Sequence, residues 1–170
     1  QHAIYGRDEQ LAELHEACRW AAMGSSELVL VSGPPGVGKS AMVLEAFRPD
    51  IAGRCSFAWG KFDGYSRSQP YGVWIQCFQF LVRKMLTKPD ETLNKWKTRF
   101  AETVGGNAAV IADVIPELRL LFDGLPQAEP LPSRENQNRF EWVFRRFVQT
   151  FSSSRHPLVL FLDDIQWADR

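Results

Sequence analysis

Leu28-Val29-Leu30-Val31-Ser32-Gly33-Pro34-Pro35-Gly36-Val37-Gly38-Lys39-Ser40 is the stretch whose reading decides the fold. The apolar run Leu28–Val31 reads as a strand. Gly33–Ser40 fits the phosphate-loop pattern G-x-x-x-x-G-K-[ST], and Ala41–Phe47 reads as the helix that should follow. Gly33, Gly36 and Gly38 allow backbone conformations and close approaches that a Cβ would block. Such a loop turns backbone N–H groups inward, and the next helix adds its positive N-terminal end. Pro34 and Pro35 stiffen the loop but bring no N–H, so the donors must come from Gly36, Val37, Gly38, Lys39, Ser40 and the start of the helix at Ala41. Lys39 places a mobile point charge against terminal phosphates. The Ser40 hydroxyl is a ligand for Mg²⁺.

A second stretch completes the site. Leu158-Val159-Leu160-Phe161-Leu162-Asp163-Asp164 is an apolar run ending in two carboxylates. Apolar residues at every position predict a strand covered on both faces, as in a parallel α/β sheet. Ligands gather at the carboxyl ends of such strands. The acidic pair and the phosphate loop are therefore expected to converge on one Mg²⁺–nucleotide, which the family resemblance given below implies is ATP. Asp163 is the candidate for the metal shell. Asp164 is the candidate to position or polarise the attacking water, and Lys39 shares the catalytic role. Together these features predict an α/β fold of the P-loop NTPase kind, a three-layer parallel sheet with helices on both faces.

Between the two stretches the pattern is mostly helical. Glu9–Met23 carries an apolar stripe (Leu11, Leu14, Cys18) with Asp8 as its N-cap. Ser56–Lys61 reads as a strand and Phe62–Pro70 as a polar turn. Helices follow over Tyr71–Leu86 and Glu91–Val104, with a short one over Ala108–Val114 and another opening at Pro116. Gly124–Pro132 reads as a loop, and Ser133 caps a long helix to Phe151 with Glu135 in its first turn. Residues 71–151 thus form a helical insertion within a single domain spanning 1–170.

The bulk composition excludes several classes. The 170 residues are 45% hydrophobic and 24% charged, as in an ordinary globular domain. Twenty basic residues balance twenty acidic ones, which gives no sign of a nucleic-acid or anionic-membrane surface. No apolar run approaches the ~18–20 residues needed to span a bilayer, and the first residues lack the pattern of a secretion signal. Cys18, Cys55 and Cys77 have no metal or redox spacing and read as reduced, buried thiols of a cytoplasmic protein. His2, His15 and His156 form no catalytic signature.

These residues carry a family resemblance. Tyr5-Gly6-Arg7-Asp8-Glu9, GPPGVGKS, Gly60–Trp74, Asp113–Leu118, Glu135–Phe140 and Leu158–Asp169 together resemble the AAA-type ATPase module, Orc1-like within the wider STAND group. The module occurs in signalling proteins that also carry serine/threonine-kinase-like, GAF and sensor histidine kinase domains. The resemblance implies that Tyr5 and Arg7 line the adenine side. It also implies a regulatory switch whose nucleotide state alters contacts with other domains of a larger protein. Asp164 stands where many ATPases of this class carry Glu, and its shorter arm implies slow turnover. The family inserts a polar sensor strand between Leu28–Val31 and Leu158–Leu162 and adds a helical lid. Neither occurs before Arg170, so the fold is expected to be a fragment, incomplete at its C-terminal end, with unpaired strand edges. The alternatives to an NTPase module are a non-catalytic interaction fragment and a P-loop kinase acting on a small molecule.

Overall fold

The computed structural model describes residues 6–48, 55–62, 71–122, 124–153 and 156–168. Among the described residues, six α-helices and two strands follow in the order α1 (Asp8–Ala22), α2 (Lys39–Ala46), β1 (Ser56–Lys61), α3 (Gly72–Leu86), α4 (Asp90–Val104), α5 (Ala108–Ala112), α6 (Ser133–Gln149) and β2 (Leu158–Asp163). Short 3₁₀ turns occupy Gly105–Asn107, Pro116–Leu120 and Ile165–Trp167. β1 and β2 pair in parallel, Ser56 opposite Leu158 and Lys61 opposite Asp163. Phe62 N–H donates to the Asp163 carbonyl and carries the ladder one step past the strands.

Helices lie against both faces of this two-stranded sheet, because alternate residues of a strand point to opposite sides. Leu158, Leu160 and Leu162, with Ala58, pack into a core built by α3–α6. Val159 and Phe161, with Phe57, pack against a smaller core of Leu14, Met42, Val43, Ala46 and Phe47 from α1, α2 and the residue after α2. The continuous apolar run of β2 therefore serves two cores. Phe78, Phe100, Phe147, Ile111 and Leu118 are fully buried in the larger one.

Two close contacts fix the layers. A Cβ on Gly60 would stand 2.6 Å from the Val73 carbonyl oxygen and 2.8 Å from Cys77 Sγ, so α3 lies on β1 at a distance that excludes any side chain there. On the other face, His15 Nε2 lies 2.9 Å from the Ala46 carbonyl and joins α1 to the end of α2.

Several expectations need correction. Leu28–Val31 has no ladder partner among the described residues, and Leu28 and Leu30 are 97% and 78% exposed. An apolar run becomes a strand only when another backbone pairs with it. The chain described here offers Val31 a partly buried place against the smaller core and Leu28 and Leu30 none. β2 carries a core on each face, as expected, but every one of its residues is only partly buried. Asp8 and Ser133 are the first residues of their helices and not N-caps; Arg7 and Pro132 hold those positions, without side-chain caps. Glu135 does lie in the first turn of α6. The turn expected over Phe62–Pro70 lies outside the described residues except at Phe62.

All three cysteines are free. Cys55 and Cys77 are buried, and Cys18 is half-buried. Burial, then the adjacent Cys18, pushes the Cys55 thiol up to about 12. Burial pushes Cys77 up to about 11. The thiolate is the nucleophile, so at pH 8 in the folded chain a disulfide reagent should label Cys18 first. Cys55 and Cys77 should lag by roughly 100-fold until denaturant is added. A raised folded pKa contributes stability below the unfolded value, near 9, and loses it as pH climbs toward the folded one. The urea midpoint should accordingly fall between pH 9 and pH 11. Equal labelling of all three thiols in the folded chain would show that the two thiols are accessible and ionised.

Candidate functional site

The phosphate-loop segment forms a tight turn into α2. Gly36 and Gly38 have φ of 77° and 88°, in the left-handed region that favours glycine. Gly38 occupies the N-cap position of α2, and no side chain caps this helix. The first amides of a helix have no carbonyl partner within it, so those of Lys39, Ser40 and Ala41 are free of helical bonds. Lys39 Nζ donates to the carbonyls of Gly33 and Pro34, at 2.9 and 3.0 Å. Its ammonium is thereby folded back over the loop, held by neutral acceptors that an anion can displace.

The sheet brings the acidic strand to this turn. Ser40 Oγ donates to Asp163 Oδ2 at 2.7 Å, across 123 residues of chain. Residues 159, 161 and 163 point to the face on which α2 packs, which explains the meeting. Asp163 Oδ1 accepts the Asp164 N–H at 3.0 Å, so both carboxylate oxygens are oriented. A hydroxyl and a carboxylate at this separation are a donor pair for a hard divalent cation. No group of three or more His, Cys, Asp or Glu side chains able to hold a metal is found among the described residues. A cation here would therefore draw its remaining oxygens from phosphate and water, as Mg²⁺ characteristically does.

Asp164 turns elsewhere. Its φ is 56°, an uncommon conformation for a residue with a side chain. Its Oδ2 lies 3.0 Å from Lys61 Nζ, and its Oδ1 accepts from Gln166 Nε2 at 3.0 Å. The hydrogen bond from Lys61, then that from Gln166, holds the Asp164 carboxyl below the usual carboxylate value. Asp164 in turn holds the Lys61 ammonium above its ordinary value. The two aspartates thus diverge, Asp163 toward the phosphate loop and Asp164 toward β1.

A cavity of about 220 Å³ adjoins the loop, lined by Arg7, Gln10 and Glu13 on one side and by Val29–Ser32 and Val37–Lys39 on the other. Arg7 Nη2 donates to the Val37 carbonyl at 3.2 Å, which ties the start of α1 to the loop. Pro34 and Pro35 are exposed on the turn. Tyr5 lies outside the described residues. Lys61 was not among the site residues expected from sequence, although its place at the end of a predicted strand was a usable signal.

The family model for the AAA ATPase domain matches residues 3–170. The hybrid signal transduction histidine kinase G of Dictyostelium discoideum is 37% identical over 166 residues, which is 98% of this chain and 5% of that protein. The chain therefore spans only a small part of that relative's length. No solved structure matches significantly. No helix among the described residues is long and apolar enough to cross a membrane. The chain belongs to the AAA ATPase domain family.

Proposed function

We propose that the chain is an ATP-binding, Mg²⁺-dependent NTPase module that acts as a regulatory switch inside a larger signalling protein, of the Orc1-like kind within the STAND group. Loop 33–40, the acidic strand 158–164 and the helical insertion 71–151 form one domain in this reading. The observation that carries it is the 2.7 Å contact of Ser40 with Asp163 at the start of the helix that follows the phosphate loop.

In the bound state, Lys39 leaves the Gly33 and Pro34 carbonyls for the terminal phosphates. The amides from Gly36 to Ala41 donate to phosphate oxygens, and preorganised donors of this kind stabilise charge that develops during transfer. Ser40 and Asp163 would hold Mg²⁺, which when bound neutralises charge on the phosphate oxygens. Asp164, once free of Lys61, orients a water and accepts its proton at a carboxylate oxygen. The cavity beside Arg7, Gln10 and Glu13 receives the nucleoside. The match to a part of a signal transduction histidine kinase supports a role inside a signalling protein.

Titration calorimetry with ATP tests this reading. The native chain should bind ATP roughly 10-fold more tightly with Mg²⁺ than with EDTA, and Asp163→Asn should lose most of that difference. Equal affinity with and without Mg²⁺ would reduce the Ser40–Asp163 contact to a structural bond. Phosphate release without an added acceptor separates a hydrolase from a small-molecule kinase.

A further inference from the structure

The helical layer holds an aromatic slot that the nucleotide reading does not use. It is a cavity of about 430 Å³ on the sheet face opposite α2 and the phosphate loop. Leu160 of β2 lines its floor, Trp74 and Phe78 of α3 one wall, and Phe140, Phe144 and Val148 of α6 the other. All of these except Phe78 are only partly buried, so the slot keeps apolar surface in water that a ligand would cover. A cavity of about 150 Å³ accommodates one benzene ring, which leaves room here for a fused ring system. The volume also falls in the range of about 300–1,000 Å³ usual for small-molecule sites.

Two polar side chains mark the mouth. Tyr71, the residue before α3, has φ of 62°, in the left-handed region that a residue with a side chain rarely adopts. Its Oη donates to Glu141 Oε1 at 3.3 Å, and its ring lies 5.7 Å from that of Phe140. Uncommon backbone states held in place by their surroundings cluster at ligand-binding positions. Arg145 stands on the α6 side. Glu141, four residues earlier on the same helix, is the acid placed to pair with it. Its Oε1 instead accepts from Tyr71 and, at 3.1 Å, from Gln137 Nε2. Arg145 is thus left without a hydrogen bond or ion pair among the described residues. A guanidinium is always charged, and its planar fork matches a carboxylate.

We propose that this slot binds a small planar aromatic carboxylate, with the rings between Trp74 and the Phe140–Phe144 pair and the carboxylate at the mouth on Arg145. Phe140 and Phe144 are already stacked, with centroids 5.5 Å apart and planes 22° from parallel. A further flat ring extends that stack. The ligand is anionic because the uncommitted charge at the mouth is the positive one, while the acid there is engaged by Tyr71 and Gln137. The slot uses neither loop 33–40 nor Asp163 and Asp164, so it is a second site, independent of the nucleotide reading.

The test uses the full chain at pH 7, with naphthalene-2-carboxylate and its neutral counterpart naphthalene-2-carboxamide as probes. Calorimetry should give one carboxylate per chain, bound about 10-fold more tightly than the amide. Arg145→Gln should erase that difference by weakening the carboxylate alone, and Arg145→Lys should restore part of it. Arg145 is exposed, so both variants keep the fold. Val148→Trp, which fills the slot, should weaken both probes at least about 10-fold. In backbone amide spectra the carboxylate should shift Tyr71, Trp74, Phe144 and Val148 and leave Gly36, Gly38 and Lys39 in place. Absence of binding, equal affinity for the two probes, a carboxylate affinity indifferent to Arg145→Gln, or shifts at the phosphate loop would each overturn the proposal. None of these outcomes bears on whether the chain binds Mg–ATP, which is measured separately.

Discussion

A chain carrying Lys39→Ala is expected to bind Mg–ATP about 10- to 100-fold more weakly than the native chain while keeping its fold. The magnitude follows from the hydrogen bonds of a charged donor, worth about 1.5–3 kcal/mol each. The preserved fold follows from the structure. Lys39 gives up two bonds to carbonyls of its own turn, at 2.9 and 3.0 Å, and both acceptors are solvent-exposed. Circular dichroism should show native helix content, and the urea midpoint should be unchanged. Unaltered Mg–ATP affinity in a folded Lys39→Ala chain would contradict the assignment of the loop to phosphate. A simultaneous loss of fold and binding would make Lys39 a structural residue.

The second large effect concerns the helical layer. Phe78 is fully buried, with its ring centroid 5.3 Å from those of Phe144 and Phe147 and 5.7 Å from that of Phe151. Phe78→Ala should cost about 3–5 kcal/mol, the usual range for emptying an aromatic site in a core. The ring contacts push it toward the upper end. Domains of this kind are stabilised by only about 5–15 kcal/mol in total, so the variant should be partly unfolded in mild urea. The site lies on the other face of the sheet, on the core of α1 and α2. The fraction of Phe78→Ala that remains folded should therefore bind Mg–ATP with near-native affinity. A loss below about 1 kcal/mol would mean that the layer relaxes into the adjoining cavity of about 430 Å³, which Phe78 lines with Tyr71, Phe140 and Phe144.

Much of this architecture was legible in the residues themselves. The strand Ser56–Lys61, the helices α3, α4 and α6 and the acidic strand all lie within a residue or two of the spans that periodicity predicts. Helix ends are the least determined part of such a reading. Asp8 and Ser133 show why: an acidic or hydroxyl residue suits both the cap and the first turn, and the backbone chose the latter. The apolar runs were more deceptive. Leu28–Val31 and Leu158–Leu162 look alike in composition. β2 found a partner in β1, and Leu28–Val31 has none among the described residues. Pairing is a property of distant chain segments, so no local pattern contains it.

The site shows the same division. The loop motif and the Asp163-Asp164 pair were visible as residue types in order, and the structure joins Ser40 to Asp163. The direction of Asp164 was not visible. Its positive φ and its bond to Lys61 depend on the register that sets Lys61 opposite Asp163. Lys61 became meaningful only when that register placed it beside the second carboxylate.

The account depends above all on the phosphate loop and the acidic strand forming one nucleotide site. Backbone amide spectra of the ¹⁵N-labelled chain, titrated with Mg–ATP, test this most directly. The account predicts that the amides of Gly36, Gly38, Lys39 and Ser40 shift together with those of Asp163 and Asp164, at a single midpoint. Shifts confined to the aromatic cavity around Tyr71 and Phe140, or a loop that responds while Asp163 and Asp164 do not, would contradict it.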